Sequence, residues 1–192
     1  MSDAPLRQTH YTIEEYLDLE QHAATKHEYA DGTIYAMAGG TPAHAQLAAN
    51  VIIQLGPQLK RSGCAVFTSD LRVRSDSGLW TYPDVSVVCG PLRYAWPMAD
   101  ENRVTITNPS LVVEVTSDST EDYDRGVKLT HYQQTPSVQT VLFVSHRVPR
   151  LTAHDRGRSL WRLVREAGTG DVLELGSGVT LAVDDVYAGV DL

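Results

Sequence analysis

A chain of 192 residues with 42% hydrophobic and 21% charged content has the size and composition of one globular domain with a sizeable core. Its formal net charge of −8 excludes a broad basic surface that binds nucleic acid by charge alone. No apolar run is long enough for a bilayer, and Met1-Ser-Asp-Ala-Pro lacks a secretory pattern, so a cytoplasmic protein without a membrane partner is expected.

Residues 1–11 read as a short flexible arm on a single domain spanning 1–192. Thr12 and Glu15 form a capping box, which predicts a helix over 13–21 with Ile13, Tyr16 and Leu17 on its apolar side. Asp31-Gly32 is a strong turn signal and predicts a hairpin between Glu28–Ala30 and Thr33–Met37. Glu28 alternates with Tyr29, so it points away from the Tyr29 face. It is either an exposed acid on an edge strand or a carboxylate at the rim of a cleft.

Thr41 and Pro42 are suited to the cap and first position of a second helix. Leu47, Val51, Leu55 and Leu59 give that helix a core-facing stripe. Gly56-Pro57 is expected to kink or briefly break it, because proline lacks an amide hydrogen and clashes with the preceding turn. His44, near the start, reads as a surface or cap-region residue. Strands follow at Cys64–Thr68, Asp70–Arg74, Leu79–Tyr82 and Val85–Cys89. Cys64 and Cys89 lack a metal-type spacing; of a disulfide and buried thiols, the reading taken is buried thiols in a reducing compartment. Asp84 follows Pro83 at the mouth of a buried strand. That place suits a turn or cap aspartate, and it equally suits a fixed acid with a wet carboxylate. Residues 90–109 look irregular, and Tyr94 and Trp96 pack that loop, serve a dimer contact or meet a ligand.

Leu111–Val115 is a strongly apolar strand with one acid, Glu114. An ionised carboxylate is costly in such a strand, so Glu114 faces solvent, pairs with a base or binds a metal. Ser119 is the expected cap of the next helix, with Asp122 three residues on and Tyr123, Val127 and Thr130 turned inward. Asp124 and Lys128 are four apart, the spacing of a surface salt bridge worth about a few tenths of a kcal/mol. Val138–Val144 reads as a core strand, and Arg150–His154 with Ser159–Arg165 as a hairpin. Short strands at Asp171–Leu175 and Thr180–Val183 and a helical turn at 184–188 close the chain. Arg147, Arg150, Arg156, Arg158, Arg162 and Arg165 suit phosphate contacts or an ordinary solvated hairpin.

Four stretches together carry a resemblance: Thr12-Ile-Glu-Glu-Tyr-Leu, Glu28-Tyr-Ala-Asp-Gly-Thr-Ile, Tyr82-Pro-Asp-Val-Ser-Val-Val, and the run from Leu111 to Tyr132. Their order and spacing resemble the bacterial "putative restriction endonuclease" family, abundant in cyanobacteria, within the PD-(D/E)xK restriction-endonuclease-like superfamily. The resemblance implies an α/β fold: a mixed central sheet flanked by helices, with an antiparallel extension. It implies a divalent-metal-dependent DNA endonuclease, or else a catalytically weak or inactive nucleic-acid-binding or protein-interaction module on a nuclease fold. A homodimer is implied as well. By the resemblance, Asp84 is the first acid, Glu114 the second, and Glu28 the acid near the first hairpin. Asp84, Glu114 and the Val115 carbonyl are the implied ligands of Mg²⁺, with Mn²⁺ as a substitute. The superfamily places a lysine two residues after the second acid, where this chain has Thr116. Lys128 on the following helix is the matching replacement, so catalysis would rest on Asp84, Glu114, Lys128 and Glu28.

Overall fold

The computed structural model describes residues 10–37, 39–95, 104–158, 161–176 and 178–192. The expected N-terminal arm, except for residues 10 and 11, and Trp96 lie outside them. So does the side chain of Arg162.

The first helix, α1 (Ile13–His22), starts as its capping box dictates: the Thr12 hydroxyl accepts from the Glu15 amide, and the Glu15 carboxylate accepts from the Thr12 amide. It leads into the hairpin of β1 (His27–Ala30) and β2 (Thr33–Ala36). Asp31 and Gly32 both have positive φ, 49° and 85°, as a primed two-residue turn requires. The second helix, α2 (Pro42–Lys60), is capped by Thr41 and buries Leu47, Val51, Leu55 and Leu59. Of the kink or break expected at Gly56-Pro57, the break does not occur; the helix runs through Pro57 as one element. Tertiary packing of the apolar stripe overrides the local penalty of the proline.

The next strands are β3 (Cys64–Thr68), β4 (Arg72–Arg74), β5 (Trp80–Thr81), β6 (Val85–Cys89), β7 (Thr105–Ile106) and β8 (Leu111–Val115). A helical stretch over 121–134, here α3, is followed by β9 (Thr140–Val144), β10 (Arg150–Arg156) and β11 (Trp161–Gly168). Then come β12 (Val172–Glu174), β13 (Thr180–Ala182) and a helical turn, Val183–Val186. A six-stranded sheet runs β11-β10-β9-β8-β6-β3, mixed because β8 and β9 are parallel and its other pairs antiparallel. A five-stranded sheet runs β2-β1-β5-β4-β7, and β12 and β13 form a small antiparallel pair. This is the expected α/β architecture with an antiparallel extension.

β8 sits at the centre of the larger sheet and is buried along its whole length. Period-two alternation divides its side chains. Leu111, Val113 and Val115 pack with the α2 stripe, whereas Val112 packs with Tyr132, Val141 and Phe143 on the α3 side. Glu114 shares the parity of Val112 and so faces α3.

Two expectations are corrected here. Cys64 and Cys89 are not free thiols but a disulfide, because the β3–β6 register sets them directly opposite each other. The cap of α3 is not Ser119: Thr120 occupies the N-cap position without a side-chain cap, and the Ser117 hydroxyl bonds those of Ser119 and Thr120 instead. No helix among the described residues is long and apolar enough to cross a membrane.

Candidate active site

The site is built at the end of the β6–β8 ladder. Their register pairs Val85 with Val113, so one further step places Asp84 opposite Glu114. There the Asp84 carboxylate accepts from the Val115 amide at 2.7 Å, fixing the acid with an acceptor's role that a ladder carbonyl would otherwise have. Its side chain keeps 16% exposure. Asp84 is therefore anchored through one oxygen on the edge of solvent, as the proline-aspartate pattern suggests.

Glu114 is 3% exposed. Of the three explanations for a buried acid, the structure shows pairing with a base: Lys128 Nζ lies 2.8 Å from its Oε1. The Tyr132 hydroxyl donates to the same oxygen at 2.5 Å. Burial pushes the Glu114 pKa well above the carboxylate range against the pull of Lys128, and Asp124, Asp84 and Glu28 add to the rise.

Lys128 is the hub. Besides Glu114 it meets Glu28 and Asp124, each at 3.1 Å, and all four side chains are nearly closed to solvent. Burial alone disfavours an ammonium, but Glu114 and Glu28 outweigh that, with Tyr132 and Asp124 contributing, and hold its pKa well above normal. The Asp124–Lys128 pair thus exists at its helical spacing but is buried, which corrects the surface salt bridge expected from the sequence. Glu28 is corrected likewise: it is 5% exposed, on a strand flanked by β2 and β5, and accepts from the Thr81 hydroxyl and the Tyr82 amide. It is neither on an edge strand nor in solvent.

The expected inner face of α3 is also corrected. Val127 and Thr130 are exposed, and Tyr123 is half-buried, while Asp124, Lys128, His131 and Tyr132 face inward. Asp124, Lys128, His131 and Tyr132 recur at three- and four-residue spacings, so the inward face keeps a helical period and lies one residue on from the expected Tyr123, Val127 and Thr130. The helix includes a π-helical segment, Asp124–Lys128, between Glu121–Tyr123 and Leu129–Gln134.

Sequence reasoning missed two participants. Tyr132 had a signal: it is four residues beyond Lys128 and shares its face. His44 had none, since nothing local tells where the start of α2 points. Its Nε2 lies 3.0 Å from the Val115 carbonyl and 3.4 Å from Asp84 Oδ2, so it is not a surface residue. A bond to Asp84 raises its pKa, against partial burial, with the Asp84 charge and Val115 carbonyl assisting.

Three of the C-terminal arginines have protein partners. Arg147 pairs with Asp118 and Glu121, Arg156 donates to the carbonyls of Gln133, Thr135 and Val138, and Arg165 pairs with Asp155 and the Glu174 carbonyl. These bonds serve the fold.

Among the described residues, no group of three or more His, Cys, Asp or Glu side chains is arranged to hold a metal ion. The three acids around Lys128 share an ammonium instead. The donor chemistry of Asp84, Glu114 and the Val115 carbonyl nevertheless fits a hard divalent cation, since each offers oxygen. Binding one requires exchange of present partners: Lys128 and Tyr132 on Glu114, and His44 on Val115.

Residues 13–184 match the sequence profile of the family Uma2, described as "Putative restriction endonuclease". Two relatives from Synechocystis sp. (strain ATCC 27184 / PCC 6803 / Kazusa) are similar over most of their length. "Uncharacterized protein slr1290" is 37% identical over 92% of this chain and 91% of its own. "Uncharacterized protein sll1609" is 29% identical over 85% and 91%. Among solved structures, a "putative nuclease belonging to DUF820" from Anabaena variabilis ATCC 29413 superposes with a TM-score of 0.75 at 16% identity, covering 92% of this chain and 97% of that one. That likeness establishes the fold.

Proposed function

The chain belongs to the Uma2 family, and on that premise we propose that it is a DNA-directed module on a nuclease fold whose site rests in an internally paired, catalytically weak state. The observation that carries this reading is the position of Lys128 between Glu28, Glu114 and Asp124. The acid that would take a cation is already satisfied by a protein cation. The surplus of carboxylate over ammonium also repels phosphate until further positive charge arrives.

A second reading, a divalent-metal-dependent DNA endonuclease that hydrolyses phosphodiester bonds, is favoured by the meeting of Lys128 with Glu114 beside Asp84. Asp84, Glu114 and the Val115 carbonyl would hold Mg²⁺ or Mn²⁺. When bound, such an ion supplies Lewis-acid stabilisation and an acidified water. Lys128 would orient the attacking water and stabilise charge growing on a phosphate oxygen. Glu28 would hold the Lys128 ammonium in place while Glu114 changes partners. A homodimer would present two such sites to one duplex.

Purified protein is to be incubated with plasmid, single-stranded and branched DNA in Mg²⁺ or Mn²⁺, beside Asp84→Ala, Glu114→Ala and Lys128→Ala. The weak-module reading expects DNA retention in gel shifts, with wild-type cleavage within about tenfold of the variants. Metal-dependent cleavage that falls about a hundredfold or more in each variant would establish the endonuclease and displace the first reading. Neither retention nor cleavage on any of these DNAs would overturn both.

A further inference from the structure

The stripe that seats α2 on the larger sheet begins before its first leucine. His44 stands three residues ahead of Leu47, on the same side of the helix. Burying Leu47, Val51 and Leu55 against Val113 and Val115 therefore brings the His44 ring over the end of β8. The Thr41 hydroxyl, accepting from the His44 amide, fixes this first turn. Gly40 leaves the ring its room, since a Cβ there would come within 3.0 Å of His44 Nδ1.

The ring nitrogen Nε2 then lies 3.0 Å from Val115 O and 3.4 Å from Asp84 Oδ2. Ligand atoms about 2.1 Å from a common ion and at right angles to each other stand about 3 Å apart. The three atoms come from three elements, and two of them are the oxygens expected to hold the cation. We propose that His44 is a further ligand of the divalent-cation site, where its Nε2 would hold the ion together with Asp84 Oδ2 and the Val115 carbonyl. The proposal rests on the metal-dependent reading of this site.

Binding replaces the Nε2 proton as the link between the ring and the two oxygens; that proton passes to Nδ1 or to solvent. An imidazole in the shell also sets the selectivity. Mg²⁺ prefers oxygen and water, whereas nitrogen donors favour first-row transition ions. The site therefore favours Mn²⁺ over Mg²⁺ more strongly than an all-oxygen shell would.

The test uses Mn²⁺ alone as probe, with no DNA and no activity readout. Calorimetry gives affinities, and electron spin-echo envelope modulation detects a nitrogen bonded to the bound ion. The proteins are wild type, His44→Phe, His44→Gln and Asp84→Ala, each checked for folding by circular dichroism. Phe keeps the ring volume and Gln the polarity, so one folded variant suffices. The expected result is ¹⁴N modulation in wild type that is absent in the His44 variants. Mn²⁺ affinity should fall about tenfold or more, and Mg²⁺ affinity should fall less. Mn²⁺ bound through Asp84 without modulation, or bound more tightly by His44→Phe, overturns the His44 assignment and leaves the metal reading intact. No Mn²⁺ binding by wild type overturns both.

Discussion

Lys128 shows what a buried ionic hub contributes and what it costs. Four nearly inaccessible side chains carry three carboxyl groups and one ammonium. Desolvation of each charge is unfavourable, and only mutual attraction and the added bonds from Tyr132 and Thr81 offset it. Removing the cation alone leaves buried acids without a counter-charge. Lys128→Met should therefore destabilise the fold by about 3–5 kcal/mol in urea unfolding. Adding Glu114→Gln to that variant should restore part of the loss, since it removes the acid whose charge burial opposes most. A Lys128→Met protein as stable as wild type would mean that the ammonium does not neutralise the acids.

One face of α3 supplies this hub. Asp124 and Lys128, four residues apart, point inward, and Gly126 and Val127 lie outside. Gly126 has nothing within 4 Å of an added Cβ and does not have positive φ. Gly126→Ala should thus raise the melting temperature by the equivalent of about 0.5–1 kcal/mol, through lower backbone entropy in the unfolded chain. A lower melting temperature would show that the segment needs the glycine.

Across the whole molecule, the larger sheet carries two distinct demands on one strand. The start of β6 supports Asp84, and its far end carries Cys89, bonded to Cys64 on the edge strand β3. The disulfide closes a span of 25 residues, which in the chain-entropy account is worth about 3.5 kcal/mol. Reduction, or Cys64→Ala with Cys89→Ala, should lower stability by up to about that amount in urea unfolding. It should leave Mn²⁺ affinity unchanged, because the bridge and Asp84 lie at opposite ends of the strand. A matching loss of Mn²⁺ affinity would show that the bridge also positions the site.

The sequence by itself determined the local elements, because their causes are local. The Thr12–Glu15 box, the Asp31-Gly32 turn, the α2 stripe and the alternation in β8 are set by neighbours within a few residues. It also singled out Glu114 as an acid in need of a partner. The tertiary structure alone decided the partnerships: Cys64 with Cys89, His44 over Val115, and Glu28 against Lys128. These residues are far apart in the chain, and their meeting depends on strand order and register. It also decided the facing of α3, whose inward side carries charged and polar residues at 124, 128 and 131. The charged face is buried there because the acids and the lysine satisfy one another, which no single residue's hydropathy can reveal.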